Sequence, residues 1–387
     1  FDCDWSSDVC SSDLNCKPKI TEYLPRTDAD LIQVQVVTRH GARTPLHLSK
    51  EISNIWECQN SELNSNTGVN TGPIHVSVSF GRSYFLGNCH FSQLLETGVE
   101  GLKEVGRYLR KVYVEKIKFP PSSYDSSVCY FRTTDTLRTI HSQMSLFRGL
   151  YPGTEKLEIH TADKIIDPWK QPVHLCPTIA KIQRELVGGS EWIEANLNDE
   201  VLMNETAEIL GVKWSSVNDA VTSTLCRGYK LPSSMTEEKV DAAIKLKARQ
   251  MQFLYSHDSF FPLYSSFTSA EMLNEMLLRV SGASRRRFIH WSAHDANVLG
   301  LLGFLGYSDD KWPPYGSFIT TELFRFRRLQ QFFVQFRYNG KLLRIPRFSY
   351  SRVIPLDDFT KFVRNFMPSL EEECGFNITS FRQKMAV

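Results

Sequence analysis

The chain of 387 residues contains no C-x-x-C pair, no H-x-H and no H-E-x-x-H. Those absences leave no motif for a zinc ribbon, a thioredoxin-type redox pair or a zincin-type metal site. Strong charge of either sign is also missing. The formal net charge is +2, and it becomes about +6 once residues 1–14, with four Asp and no Lys or Arg, are set aside. A mild positive balance suits an anionic small substrate and argues against nucleic acid as a partner. The basic run Arg285-Arg286-Arg287 precedes an apolar strand and reads as a solvated edge. There is no internal repeat, and no low-complexity tract outside the first 14 residues. The closing segment, Phe381 to Val387, has no apolar run long enough to span a bilayer.

The first residues read as foreign. Asp4-Trp5-Ser6-Ser7-Asp8-Val9-Cys10-Ser11-Ser12-Asp13-Leu14 resembles a translated sequencing-library adapter, so residues 1–14 are expected to be a non-native scar. A signal peptide or anchor would have been lost with the original start. Setting Cys3 and Cys10 aside leaves seven widely spaced cysteines: Cys16, Cys58, Cys89, Cys129, Cys176, Cys226 and Cys374. Wide spacing fits disulfides or buried thiols, and an odd count leaves one over. Two sequons, Asn204-Glu205-Thr206 and Asn377-Ile378-Thr379, tilt the reading towards a glycoprotein of the secretory pathway, whether secreted, lysosomal or in the Golgi lumen.

What is present is an α/β pattern. Leu31 to Val37 alternates as a strand, Leu94 to Ile117 has helical spacing, and Val128 to Phe131 reads as a buried strand. A helical pattern follows through Leu137, Ile140, Met144 and Phe147. Residues 155–283 lack strong strand signals and read as a helical cap insertion, with polar loops around Asn196–Glu205 and Arg227–Ser234. Within it, Thr236 to Tyr255 is amphipathic, and Thr268 with Glu271 has the pattern of a capping box ahead of Met272. Strand signals return at Phe288 to Ala293, Glu322 to Phe326 and Phe332 to Tyr338. Asn339-Gly340 predicts a tight hairpin, and Leu356 to Met367 a closing helix. The organisation expected is a core of 15–154 and 284–387 interrupted by a cap of 155–283. The fold class expected is α/β, a mixed, mainly parallel sheet sandwiched by helices.

Chemistry concentrates where strands end. Arg39-His40-Gly41-Ala42-Arg43-Thr44-Pro45 follows the first strand, Arg132 ends the second, and His294-Asp295 follows Phe288 to Ala293. In open α/β sheets ligands bind beyond the carboxyl ends of strands. Guanidinium groups hold phosphate oxygens with forked, charge-assisted hydrogen bonds, and an imidazole can form a covalent intermediate. Taken singly these residues have plainer readings: Arg39 and Arg43 as surface ion-pair partners, His40 as a core histidine, Arg132 as an anchor for Asp135, and Arg138 with Asp135 as loop braces.

The stretch from Arg39 to Pro45 resembles the signature of the histidine acid phosphatases, the branch of the histidine phosphatase superfamily that includes prostatic, lysosomal and lysophosphatidic acid phosphatases, a phosphoxylose phosphatase and fungal phytases. Arg132-Thr133-Thr134-Asp135-Thr136-Leu137-Arg138-Thr139, His294-Asp295, and Trp312-Pro313-Pro314-Tyr315-Gly316-Ser317 with Glu322-Leu323 are similar to further segments of that family. The resemblance implies His40 as nucleophile and Asp295 as general acid. It implies Arg39, Arg43 and Arg132 as holders of the phosphate, with His294 as a further donor. It implies no metal and no cofactor. An aspartic acid that donates a proton favours an acidic working pH.

The resemblance also implies a Cys176–Cys374 disulfide, while Cys58–Cys89 rests on loop proximity alone. Many family members carry a cysteine soon after the Pro-Pro-Tyr segment that pairs with one in the cap. Phe318 stands in that place here, so Cys226 is expected to be free. Asn54 to Gly87 reads as a long surface loop, with a substrate-facing loop that shapes specificity as the alternative. The substrates expected are small phosphomonoesters or phosphorylated glycans or lipids, and homodimerisation is left open. Three rival readings remain: a phytase or inositol-polyphosphate phosphatase on the same scaffold, whose pocket should carry extra Lys and Arg, a non-catalytic phosphate- or glycan-binding protein, and a metal-dependent hydrolase.

Overall fold

The computed structural model describes residues 16–375, apart from 48, 50, 53, 59–85 and 171, with the backbone alone at 368 and 369. The sequon at Asn377, residues 1–14 and most of the Asn54 to Gly87 segment fall outside the described residues. In chain order the strands are β1 (Ala29–Arg39), β2 (Ile55–Trp56), β3 (Leu86–Gly87), β4 (Cys129–Thr133), β5 (Phe288–Ala293), β6 (Phe318–Phe326), β7 (Phe332–Tyr338), β8 (Lys341–Leu342) and β9 (Ile354–Pro355). The helices are α1 (Glu96–Leu109), α2 (Leu137–Leu150), α3 (Pro177–Val187), α4 (Ser190–Asn196), α5 (Glu200–Leu210), α6 (Trp214–Cys226), α7 (Glu237–Ser256), α8 (Phe261–Val280), α9 (Asp295–Phe304), α10 (Leu356–Asn365) and α11 (Met367–Cys374).

β1 lies inside a mixed sheet of order β4-β5-β1-β6-β7-β8, with β9 also against β7. The parallel part is β4-β5-β1, and every ladder on the other side of β1 is antiparallel. This arrangement decides the site. Arg39 pairs with Ala293 and Thr133 with Ser292, so the three parallel strands end at one level. Whatever follows them meets at one edge.

Helices cover both faces. Val34 and Val36 pack with Leu102, Val105 and Leu146 of α1 and α2, while Val37 joins Met272 and Met276 of α8 and Val298 of α9. The alternating polar positions of β1 are therefore not wet. Gln33 and Gln35 are buried and donate to the backbone carbonyls of Glu275 (3.2 Å) and Met272 (2.7 Å). A polar atom removed from water needs such a partner.

Two local expectations fail on α8 and α5. Thr268 and Glu271 do not start a helix, because α8 begins at Phe261 with Pro262 in its first turn. Thr268 bonds back to the Ser265 carbonyl, and Glu271 is buried against Trp169. The polar stretch up to Glu205 is largely helical, since α5 starts at Glu200 and buries Thr206 and Leu210. Leu210, Val217, Val221, Met235, Val240 and Ala243 form a separate small core among α5, α6 and α7.

Among the described residues three disulfides form: Cys16–Cys226, Cys58–Cys89 and Cys176–Cys374. Cys226 is therefore bonded rather than free. The segment before β1 brings Cys16 beside the end of α6, where Ala42 and Tyr315 complete the contact. Phe318 instead opens β6 as a buried residue. Among the described residues Cys129 is the free thiol; it is buried, and its pKa is raised to about 11 by that burial. Such a thiol is inert.

Candidate active site

His40 leaves β1 directly after Arg39, and its backbone N–H donates to Ala293 O (3.0 Å) on the parallel neighbour. The loop then lies against α1. Gly41 has no left-handed conformation, yet a Cβ there would stand 2.5 Å from the Gly98 carbonyl. The glycine permits close backbone approach rather than a special turn. Leu95 N–H donates to Ala42 O (2.9 Å) and fixes the contact.

The His40 ring is buried, 5.7 Å from the His294 ring and 5.8 Å from Tyr315, measured between centroids. Its Nδ1 lies 3.0 Å from the Gly41 carbonyl oxygen. A carbonyl only accepts, so Nδ1 carries the proton and Nε2 keeps its lone pair. Burial drives the His40 pKa well below its ordinary 6.5, and Arg138, Arg43 and Arg39 push it the same way. The ring stays neutral and nucleophilic in mildly acidic solution.

Arg39, Arg43 and Arg138 line the same cavity of about 630 Å³ together with His40, His294 and Asp295. Arg39 donates to Pro313 O (2.5 Å), pairs with Asp295 (3.1 Å), and stacks 4.0 Å over the Tyr315 ring. The Trp312 to Ser317 segment thus braces the first arginine. Arg43 pairs with Asp219 of α6 at 2.6 Å, and Asp219 also accepts from Leu46 N–H (2.7 Å). Burial pulls the Arg43 pKa down, but Asp219, Tyr315 and Asp295 together outweigh it and the net direction is up.

Arg132 does not line this cavity. Side chains alternate along β4, so Phe131 faces α2 while Arg132 points to the opposite face. There it pairs with buried Asp167 (2.8 Å) and approaches Glu271 (3.6 Å). Burial lowers its pKa, and the Glu271 and Asp167 charges more than reverse that. Asp135 is exposed, and neither Arg132 nor Arg138 has a hydrogen bond or ion pair to it.

The arginine that reaches the cavity from this segment is Arg138, in the first turn of α2. It donates to Ser92 Oγ (2.8 Å) and to His294 Nδ1 (3.2 Å). It has no carboxylate partner in hydrogen-bond or ion-pair contact among the described residues. Burial, then the charge of Arg43, pushes its pKa down to about 10. A half-buried cation without a counter-charge favours an anion beside it. A position in the first turn of a helix that follows a strand end was the available sequence signal.

His294 and Asp295 follow β5 and open α9. His294 Nδ1 accepts from Arg138 while Nε2 lies 3.0 Å from Thr134 Oγ1. With both ring nitrogens occupied, it braces Arg138 and has no free N–H for a phosphate in this arrangement. Asp295 is partly open to the cavity, with one oxygen on Arg39 and the other accepting from Ala296 N–H (2.9 Å). Lys170 adds a further cation next to the cage, set by the neighbouring Trp169, whose ring stacks 4.7 Å from Trp291.

Three buried histidines link stability to pH. His40 and His294 are held well below 6.5 chiefly by burial, and His290 is pushed down to about 3 by burial. Below about pH 6.5 the unfolded chain binds protons on these rings that the folded chain refuses. Stability is therefore expected to fall as pH drops from 7.5 to 5. Melting scans without phosphate should show a falling Tm, and a flat Tm would contradict neutral burial.

A family model described as the histidine phosphatase superfamily (branch 2) matches residues 30–277. Counting factor 60 of Dictyostelium discoideum is 28% identical, over 94% of this chain and 93% of that protein. Lysophosphatidic acid phosphatase type 6 of Bos taurus is 26% identical, over 89% of this chain and 85% of its own length. Among solved structures, the apo form of Hafnia alvei phytase superposes with a TM-score of 0.60 at 14% identity, covering 89% of this chain and 98% of that one.

Proposed function

The chain belongs to branch 2 of the histidine phosphatase superfamily, and on that premise we propose that it hydrolyses phosphate monoesters through a covalent phosphohistidine on His40. One observation carries the reading. A neutral imidazole with a bare Nε2 shares a cavity with three guanidinium groups and a carboxyl.

In the first step His40 Nε2 attacks phosphorus and the bond to the alcohol oxygen breaks. Asp295 gives its proton to that oxygen, and the alcohol leaves. In the second step the Asp295 carboxylate takes a proton from water, the water oxygen attacks phosphorus, and the N–P bond breaks. Inorganic phosphate and the original His40 result. Arg39, Arg43 and Arg138 stabilise the equatorial oxygens throughout, which is the main task in phosphoryl transfer. His294 aims Arg138 at them, and the N-termini of α2 and α9 add favourable dipoles.

The outer cavity wall is largely aromatic and aliphatic, with Trp192, Trp214, Met251, Leu254 and Trp312. Lys170 and Lys247 are the cations lining it beyond the cage. That wall suits an organic phosphomonoester with an apolar body, such as a phosphorylated lipid, better than a polyphosphate. The phytase likeness at 14% identity supports the fold alone. Three disulfides and the exposed Asn204 support passage through the secretory pathway. Among the described residues no helix is long and apolar enough to cross a membrane.

The test is a panel of phosphomonoesters assayed across pH with Asp295→Asn beside the parent enzyme. The variant should lose about 10²-fold in kcat on alkyl phosphates. The loss should shrink with p-nitrophenyl phosphate, whose leaving group needs little protonation. Equal losses on both would remove Asp295 as the acid. Turnover should persist in EDTA and stop with vanadate. A folded protein that binds phosphate and cleaves nothing would favour the non-catalytic reading.

A further inference from the structure

Lys247 is a cation in an unusual place. It sits on α7 with only 9% of its surface exposed, and it lines the catalytic cavity. No side chain among the described residues is in hydrogen-bond or ion-pair contact with its ammonium. The Trp214 ring faces it, with its centroid 5.3 Å from Nζ. Burial alone pushes its pKa down to about 8, with no carboxylate acting against it. The structure spends its hydration and returns no counter-charge, which a folded protein tolerates where a ligand completes the site.

The surroundings are held in place. Trp214 Nε1 donates to Gln250 Oε1 (2.9 Å), and Gln250 Nε2 donates to Asn196 Oδ1 (2.8 Å). Gln250 lies one turn along α7 from Lys247. The ring that faces the ammonium is therefore fixed from behind. At the other end of α7, Tyr255 is close enough to the cage for the Asp295 charge to act on it. Eight residues of helix separate Lys247 from Tyr255, or about 12 Å of axis. Between them Met251 and Leu254 face the cavity.

We propose that Lys247 is a specificity residue that receives a second anionic group of the substrate, carried at the far end of an apolar body from the phosphate that His40 attacks. The substrate class is an elongated phosphomonoester with a distal carboxylate or phosphate. This rests on the phosphatase reading above. The body would lie along Met251 and Leu254, and the distal anion would meet the ammonium beside Trp214.

The test uses alkyl phosphomonoesters of graded length, each made with a methyl and with a carboxylate terminus. For each enzyme the readout is the ratio of kcat/KM between the two termini, resolved into kcat and KM. The parent should prefer the carboxylate by about tenfold through KM at one intermediate length and not at the shortest. Lys247→Met should erase that preference, and Lys247→Arg should keep part of it. Should the methionine variant fail to fold, Lys247→Gln serves the same comparison. No preference at any length in the parent, or a preference that survives the loss of the ammonium, overturns the proposal. A terminal phosphate in place of the carboxylate separates the two anion classes. Failure of the underlying phosphatase reading looks different, because then no member of the series is hydrolysed.

Discussion

His40→Ala should lower kcat on the order of 10⁵-fold, the scale seen when a covalent nucleophile is removed. Neutral His40 has its Nδ1 proton committed to the Gly41 carbonyl, so Nε2 is the free lone pair aimed into the cage. Alanine leaves three arginines and Asp295 around a bound phosphate with nothing to attack it. Binding should survive: the variant should still be protected from heat by phosphate or vanadate. A rapid quench of the parent with labelled substrate should trap an acid-labile, alkali-stable phosphoenzyme, as an N–P bond requires, and the variant should trap none. Appreciable turnover by a pure His40→Ala protein would end the covalent mechanism.

The second large effect sets two neighbouring arginines against each other. Arg138→Ala should reduce kcat/KM by about 10³-fold, the usual consequence of deleting one preorganised charge from a phosphoryl-transfer site. Stability should change little or rise, because a half-buried cation without a carboxylate partner is removed. Arg132→Met should do the reverse. It leaves Asp167 and Glu271 buried and unpaired, at a cost of about 3–5 kcal/mol, visible as a lower urea midpoint. The fraction still folded should keep most of its kcat/KM. The opposite outcome, a stable but dead Arg132→Met protein, would return Arg132 to the phosphate.

These two residues also mark how far a one-dimensional reading carries. Strand and helix positions were legible where the apolar pattern was long: β5 and β7 span the residues that the pattern indicates, and β1, α2 and α7 agree to within a few. Local rules failed where tertiary burial outweighed them. Thr268 and Glu271 have the composition of a helix start but lie in the middle of α8, whose apolar beginning packs on the sheet. Gln33 and Gln35 look like a wet face and are buried by α8. The pairing of Cys226 depended on a partner 210 residues away.

The seven residues from Arg39 to Pro45 and the His294-Asp295 pair were enough to name the chemistry, because few side chains can attack phosphorus, hold its oxygens and release an alcohol. Which arginine completes the cage was a matter of parity and register. Arg132 lies one step along β4 from residues facing α2 and is turned away, whereas Arg138 rides the first turn of α2 into the cavity. The lone ammonium of Lys247 beside Trp214 likewise had no sequence signature, because burial without a partner exists only once α6 and α7 have packed.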